Sequence, residues 1–452
     1  VNILFLVPYA PNLIRTRPYN LIRHLARRGH AVTLLTLTTN PAEREDLVAL
    51  EAEGITVFAE PLSRTRSLAN SLAALPTADP LQASYCWQPA LARRLEAILS
   101  LDTGAPPFDI IHVEHLRGAR YALLAKELVG GPWTTDHGPS SIVLRPSSVV
   151  HRPSSIPIIW DSVDCISHLF RQAAAYSRSR FGRWVTRLEL PRTERYEGQL
   201  AWQFDAVLAT SEIDRDALTR LADRQRPPVR SMDARPPLHV LPNGVDLDYF
   251  QPDPAIKREP TTLVLSGKMS YHANVTMAVH LVRDIMPLVW RQRPDVHVWI
   301  VGKDPSPEVT ALADGEPRIT VTGTVPDVRP YLQRATIAVA PIAYGAGIQN
   351  KVLEAMACGT AVVASPQAVA ALGAVPGHDL LIGRDDAELA GSMLLLLADP
   401  ARLASVAGAG LAYVRAHHCW PDIAAQLEAI YTTSVASQTN AAGRFNSPVV
   451  VD

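Results

Sequence analysis

The sequence predicts an α/β protein of two Rossmann-like domains, each built on a parallel sheet, facing a central cleft. Three observations carry this. At 452 residues the chain exceeds one ordinary core. Short, continuously apolar runs recur without alternation, as strands buried on both faces do. Helical stripes separate those runs in two successive series, the pattern of βαβ units, whose ligands bind at the carboxyl ends of the strands.

Residues 2–7 (Asn-Ile-Leu-Phe-Leu-Val) form the first run, and Leu21, Ile22 and Leu25 give a helical stripe that stops at Gly29. Residues 31–37 then form the second strand. Further strands are expected at 55–59, 109–113, 157–160 and 205–210, and Ser211 with Asp214 caps the helix that follows. Between 109–113 and 157–160, Gly138-Pro-Ser-Ser, Arg145-Pro-Ser-Ser and Arg152-Pro-Ser-Ser recur every seven residues. Their prolines exclude a regular helix, so 138–155 reads as a low-complexity loop, passive or serving as a docking element. The N-terminal domain is placed at 1–240. A Pro-rich stretch around Pro227–Pro237 and a linker at 241–258 precede the second series, with strands near 262–266, 296–301, 318–322, 336–340 and 361–364. Helices at 386–397, 401–415 and 421–434 complete a domain over 259–435 with a returning C-terminal helix. Residues 436–452 lack periodicity and are expected to fray.

Apolar residues make up 47% and charged residues 19%, which excludes wholesale disorder. A formal net charge of −1 removes the global electrostatic case for a nucleic-acid binder. Cys86, Cys165, Cys358 and Cys419 are scattered without metal-ligand spacing and read as reduced thiols. No apolar run reaches about 18 residues, and the N-terminus passes into a strand without a signal pattern, so a cytoplasmic protein is expected. Residues 170–192 interleave Phe170, Phe181, Trp184, Val185 and Leu188 with six arginines. This stretch is either a peripheral contact at the inner membrane face or a core-facing helix with a solvated arginine face.

The segment Gly345-Ala-Gly-Ile-Gln-Asn-Lys351-Val-Leu-Glu354 is the most informative in the chain. Its glycines allow close backbone approach, and the amide groups and dipole of the following helix favour a diphosphate. Lys351 supplies a cation, and Glu354, one turn later on the same face, can accept hydrogen bonds from sugar hydroxyls. Together they point to a nucleotide-sugar site, the alternative being an amphipathic helix with a solvated Lys–Glu pair. Neither domain's first strand is followed by G-x-G-x-x-G, which argues against a dinucleotide oxidoreductase: the loops read Pro8-Tyr-Ala-Pro-Asn-Leu-Ile and Gly267-Lys-Met-Ser-Tyr-His-Ala.

Arg27-Arg-Gly-His-Ala-Val-Thr, Leu241-Pro-Asn-Gly-Val-Asp-Leu-Asp-Tyr-Phe-Gln-Pro252, Ile300-Val-Gly-Lys, Val321-Thr-Gly-Thr-Val-Pro-Asp-Val and the glycine-rich segment occur in one order. In these the chain resembles the two-domain (GT-B) glycosyltransferases of family 4, or group 1, over nearly its whole length. Through Trp160-Asp-Ser-Val-Asp-Cys-Ile-Ser and the segment from Gly345 it is similar to sugar transferases of exopolysaccharide-type clusters. The resemblance implies transfer of a sugar from a nucleotide diphosphate donor, held by the C-terminal domain, to a glycan or lipid-linked acceptor held by the N-terminal domain. It implies donor contacts from Gly267, Lys268, Gly345, Ala346, Gly347, Asn350, Lys351 and Glu354. Ala346 stands where relatives often carry a second glutamate, and Lys268 where arginine is commoner. On the acceptor side the candidates are Arg15, Arg17, Glu114, His115, Asp161 and Asp164. Asp161 stands where many relatives have a histidine and is either an acceptor or proton-transfer carboxylate or a helix N-cap. Arg15 and Arg17 are either cleft cations or solvated arginines.

Lys268, Lys351 and the helix dipole would stabilise the leaving diphosphate electrostatically, so neither a metal nor a cofactor is expected. The catalytic candidates are therefore Asp161, Lys268 and Lys351. The resemblance implies a retaining reaction, and without a convincing nucleophile a front-face displacement is favoured. An epimerase or phosphorylase on the same architecture, or a non-catalytic partner subunit, are the alternatives.

Overall fold

The computed structural model describes residues 1–100, 108–130, 156–176, 180–227, 235–345 and 347–445. The repeat loop at 138–155 and Ala346 lie outside the described residues. The chain divides into two compact units: Val1–Ser167 with Leu188–Leu241 and Ala424–Asp452, and His168–Arg187 with Pro242–Ile423.

The first unit contains β1 (Asn2–Val7), β2 (Ala31–Thr38), β3 (Thr56–Pro61), β4 (Ile110–Glu114), β5 (Ile158–Asp161), β6 (Ala206–Ala209) and β7 (Leu238–Val240). They form one parallel sheet in the order β3-β2-β1-β4-β5-β6-β7. Ile3 through Val7 are fully buried, as a strand covered by helices on both faces requires. The second unit contains β8 (Thr262–Ser266), β9 (His297–Val301), β10 (Ile319–Gly323), β11 (Ile337–Ala340), β12 (Ala361–Ala364) and β13 (Leu381–Ile382). Its parallel order is β10-β9-β8-β11-β12-β13. Eleven of these strands fall on the expected runs. β7 and β13 were not expected, because three and two residues are too short to carry a periodic signal.

Two expectations are corrected. The helix Trp420–Phe445 runs ten residues past 435, so 436–445 is helical rather than a frayed tail. Its hydrophobic stripe fades there, but Ser437 returns its hydroxyl to the Thr433 carbonyl at 2.8 Å and Gln438 donates to Asp205 at 2.9 Å. This helix groups from Ala424 onward with the first unit, while residues 168–187 group with the second.

In each sheet the strand order reverses once, between β1 and β4 and between β8 and β11. Loops leaving the carboxyl ends of such a pair run to opposite faces and open a crevice for a ligand. The ends of β8 and β9 also meet closely. Gly302 has φ +146°, and a Cβ there would stand 1.8 Å from the Gly267 carbonyl oxygen. Gly302→Ala is therefore expected to destabilise the protein by about 3 kcal/mol or more, from steric overlap plus backbone strain. Urea unfolding of the full chain measures this. A midpoint like that of the wild type would mean the two strand ends do not pack this closely.

Candidate functional site

In the first unit the predicted acceptor-side residues gather at the β1/β4 reversal. The helix Thr16–Arg27 follows the loop after β1 and tolerates Pro18 because its first turn needs no amide donor there. This start turns Arg17 inward, where it is only 4% exposed. Its Nε donates to Asp161 Oδ2 at 2.8 Å, its Nη2 lies 2.8 Å from the same oxygen, and its Nη1 donates to the Leu241 carbonyl at 3.0 Å. Arg17 is thus not a solvated arginine. Asp161 is fully buried at the end of β5 and is not a helix N-cap: its Oδ1 accepts the Val163 N–H at 3.0 Å, in a turn that precedes the helix Ile166–Tyr176. Burial alone would raise its pKa, but Arg17 and His112 hold it down to about 2. That value makes Asp161 a permanent anion, too weak a base to collect a proton at neutral pH.

Below this pair His112 is fully buried and stacks on Phe5 at 4.1 Å. Its Nε2 stands 3.6 Å from Asp161 Oδ2 and its Nδ1 is 2.8 Å from the Tyr431 hydroxyl. A proton on Nε2 facing the carboxylate leaves Nδ1 to accept from Tyr431. Burial lowers the His112 pKa, so the ring is neutral.

Glu114 ends β4 directly opposite Asp161 in the ladder. It is 1% exposed, accepts the Tyr9 hydroxyl on Oε1 at 2.8 Å, and has no partner for Oε2. Burial first, and then the charge of Asp161, push its pKa up to about 8, so it is a neutral acid at pH 7. His115 is pushed down to about 3 by burial and Arg117, and its Nδ1 accepts the Arg117 amide at 3.2 Å. Asp164 accepts from Thr210 at 3.2 Å, with its pKa raised to about 7 by burial and by Asp214. Arg15 pairs with Glu43 at 3.2 Å. His115 and Val163 have φ +67° and +64°. Left-handed backbone at a β-branched residue costs about 1–3 kcal/mol, and such strain collects at functional sites. Here it falls immediately after β4 and just beyond β5.

In the second unit the predicted donor residues gather at the β8/β11 reversal. Gly267 has φ +146°, and a Cβ there would stand 2.8 Å from Asn274 Nδ2 and 3.4 Å from Lys351 Cε. Asn274 donates to the Lys268 carbonyl at 3.0 Å and accepts Lys351 Nζ at 2.9 Å, so one amide ties the two phosphate-type loops together. Lys268 is half exposed, 3.9 Å from Asp304. Gly345 N–H donates to Gln172 Oε1 at 2.9 Å, and Gly347 has φ +64°. Asn350, Lys351 and Glu354 lie on the helix Asn350–Ala357, whose start has no side-chain cap. Asn350 Oδ1 is 3.5 Å from Asn243 Nδ2. Burial lowers the Lys351 pKa to about 8 and raises that of Glu354 to about 7. Glu354 makes no side-chain hydrogen bond or ion pair among the described residues. This is a glycine-bearing loop followed by a cation and a half-buried carboxylate on one helix, a set able to hold a diphosphate and a polyol. Among the described residues no group of three His, Cys, Asp or Glu side chains is placed to hold a metal ion.

Tyr9, His112, Tyr431, Asn274 and Gln172 were not among the expected site residues. The Tyr9 loop and Asn274 lie just beyond the first strand of each series, which is a usable signal. Tyr431 sits far along the C-terminal helix, and its sequence context offers none.

Two family models match the chain, one described as "Glycosyl transferase 4-like domain" over residues 14–244 and one as "Glycosyl transferases group 1" over residues 260–399. The first spans half of the chain, which belongs to the group 1 glycosyltransferases. The phosphatidyl-myo-inositol mannosyltransferases of Mycobacterium tuberculosis and Mycobacterium bovis are each 30% identical over 210 residues, 44% of this chain and 54% of theirs. The chain thus spans about half the length of the curated relatives it matches. Solved structures share the fold over nearly the full chain. Sucrose-phosphate synthase from Thermosynechococcus elongatus has a TM-score of 0.62 at 18% identity, covering 97% of this chain and 100% of its own. Anabaena HepE in complex with UDP has a TM-score of 0.59 at 15% identity, covering 96% and 100%.

The raised Glu114 pKa has a consequence for stability. A carboxyl whose folded pKa lies near 8, well above its unfolded value, favours the fold at low pH, and this contribution is lost as pH rises through about 4.5 to about 8. Glu114→Gln removes the linkage while keeping an acceptor for Tyr9. The variant's stability relative to wild type is therefore expected to grow between about pH 5 and about pH 8, measured by urea unfolding at each pH. A constant difference would mean that Glu114 is not a buried neutral acid.

Proposed function

We propose that this group 1 glycosyltransferase moves a hexosyl-type sugar from a nucleoside diphosphate sugar to a glycan or lipid-linked acceptor, with retention and without a metal ion. The observation that carries the reading is the Lys351–Glu354 pair beside Gly267. A half-buried cation donates to the Asn274 amide oxygen at 2.9 Å, and a carboxylate follows one turn later on the same helix. On this reading Lys351, Lys268 and the uncapped helix start hold the diphosphate and stabilise it as it leaves. Gly267, Gly345 and Gly347 let it approach the backbone, Asn350 stands at the helix start, and Glu354 accepts the ribose hydroxyls. The solved HepE complexes with UDP and with UDP-glucose are consistent with a donor of this class.

Asp161 enters this scheme as a positioning residue rather than a proton acceptor or nucleophile, because Arg17 neutralises it inside the fold. With no nucleophile exposed at that point, front-face displacement is the mechanism we favour, the donor phosphate receiving the acceptor proton. The acceptor contacts fall to Glu114, His115, Arg15 and Asp164. A peripheral membrane contact through residues 170–192 fits Trp184 and Leu188, which are 62% and 42% exposed. No single helix among the described residues is long and apolar enough to cross a membrane.

Two experiments test the donor site. If Glu354 grips the ribose, Glu354→Gln costs about 1.5 to 3 kcal/mol of donor binding, and a 2′-deoxyribose donor loses far less on the variant than on the wild type. Calorimetric titration of the four combinations measures this, and strictly additive losses would remove Glu354 from the ribose. The second test is pH. Donor binding needs Glu354 ionised and Lys351 charged, so kcat/KM for the donor should rise as pH passes about 7 and fall beyond about 8. Glu354→Gln should flatten the acidic limb alone, and an unchanged acidic limb in that variant would assign it elsewhere.

A further inference from the structure

The Tyr9 ring is the centre of a second cluster in the first unit, built around two polar atoms that the fold leaves unsatisfied. The Arg15 guanidinium lies over the ring at 4.9 Å, the His115 ring meets it edge-on at 6.1 Å, and its hydroxyl donates to Glu114 at 2.8 Å. Glu114 Oε2 and Arg117 Nε are both buried without a hydrogen-bond partner among the described residues. Buried polar atoms are nearly always satisfied, so a carboxyl oxygen and a guanidinium N–H orphaned within four residues require an explanation, and a polar ligand supplies one. Arg117 reaches over the Tyr85 ring at 5.6 Å and has no ion pair among the described residues. Its charge and that of Arg15 both act on Tyr9 and on Cys86, so the two guanidiniums serve one neighbourhood. Glu43 balances Arg15, whereas among the described residues no carboxylate pairs with Arg117.

The loop before Arg15 adds an apolar edge. Leu13 and Ile14 are 68% and 64% exposed, yet the loop is held firmly. Asn12 Oδ1 accepts the amides of Ile14 and Arg15 at 3.0 Å each, and Asn12 Nδ2 donates to Asp46 at 2.8 Å. Two aliphatic side chains are thus presented to solvent by an ordered turn that ends in a cation.

We propose that this cluster is an anion subsite for the acceptor, in which Arg117 and Arg15 hold a phosphate, Glu114 meets a hydroxyl of the sugar bearing it, and Leu13 and Ile14 line an alkyl chain on that phosphate. The guanidinium fork suits a phosphate better than a point charge does. The proposal rests on the glycosyltransferase reading and narrows its acceptor to a phosphate-bearing sugar, free or lipid-linked.

The test is calorimetric titration of the full chain with two probes, glucose 1-phosphate and dodecyl phosphate below its micelle concentration. Arg117→Gln is expected to weaken both at least about tenfold, Arg15→Gln to weaken both less, and Arg117→Lys to recover part of the loss. Leu13→Ser with Ile14→Ser should weaken dodecyl phosphate alone. Lys351→Ala, which disables the donor side, should leave dodecyl phosphate binding intact. Binding lost in Lys351→Ala but kept in Arg117→Gln would place the probes in the donor site, overturning this subsite and sparing the donor reading. Absence of millimolar binding to the wild type, or failure of Arg117→Lys to recover any affinity together with a lowered unfolding midpoint, would also overturn it. Equal weakening of both probes by the Leu13/Ile14 variant would overturn the alkyl contact.

Discussion

The buried ion pair between Arg17 and Asp161 is the interaction on which the first unit is organised. It joins the helix after β1 to the end of β5, and a third hydrogen bond carries it to the Leu241 carbonyl. Through His112 it reaches Tyr431 on the C-terminal helix. Leu241 is the last residue of its stretch in this unit, so the pair is bonded directly to one of the points where the chain leaves it. A buried pair of this kind adds little net stability, because desolvation offsets most of its attraction. Either partner alone would be an uncompensated charge in the interior, so each requires the other in place.

That constraint also sets the charge states around it. A fixed anion at Asp161 makes ionisation of its ladder neighbour Glu114 costlier, and burial adds to the penalty. The two carboxylates are thereby driven apart, one permanently charged and one neutral. The second unit reaches a related result by burial with weak pairing. Lys351 and Glu354 share a helix face without an ion pair, and both are pushed towards neutrality. A bound diphosphate would draw Lys351 back towards its charged form, so ligand and protonation are coupled. At its strand ends the second unit has positive φ at Gly267, Gly302 and Asp304, and the first unit at His115 and Val163, beside hydrogen bonds from the Arg117 and Val163 amides.

The strands were legible because an interior parallel strand must be apolar on both faces, which writes a continuous run into the chain. β7 and β13 escaped because so few residues carry no period, and residues 436–445 because their sequence carries no apolar stripe. The donor loop was legible because its cation, carboxylate and glycines are contiguous in sequence. Gln172, whose side chain takes the Gly345 amide, is 173 residues away and was not legible.

By itself, then, the sequence determined two parallel sheets, the positions of eleven of their thirteen strands, the family resemblance and the residue types at the two reversal points. Those features follow from local periodicity and from motifs a few residues long. Only the tertiary structure decided that Arg17 is buried and spoken for, that Asp161 is paired with it inside the fold, and that Glu114 is buried and held by Tyr9. Each of these rests on partners more than 100 residues apart and on the loss of solvent around them. Burial and charge pairing are properties of the assembled interior, and no local pattern in the chain specifies them.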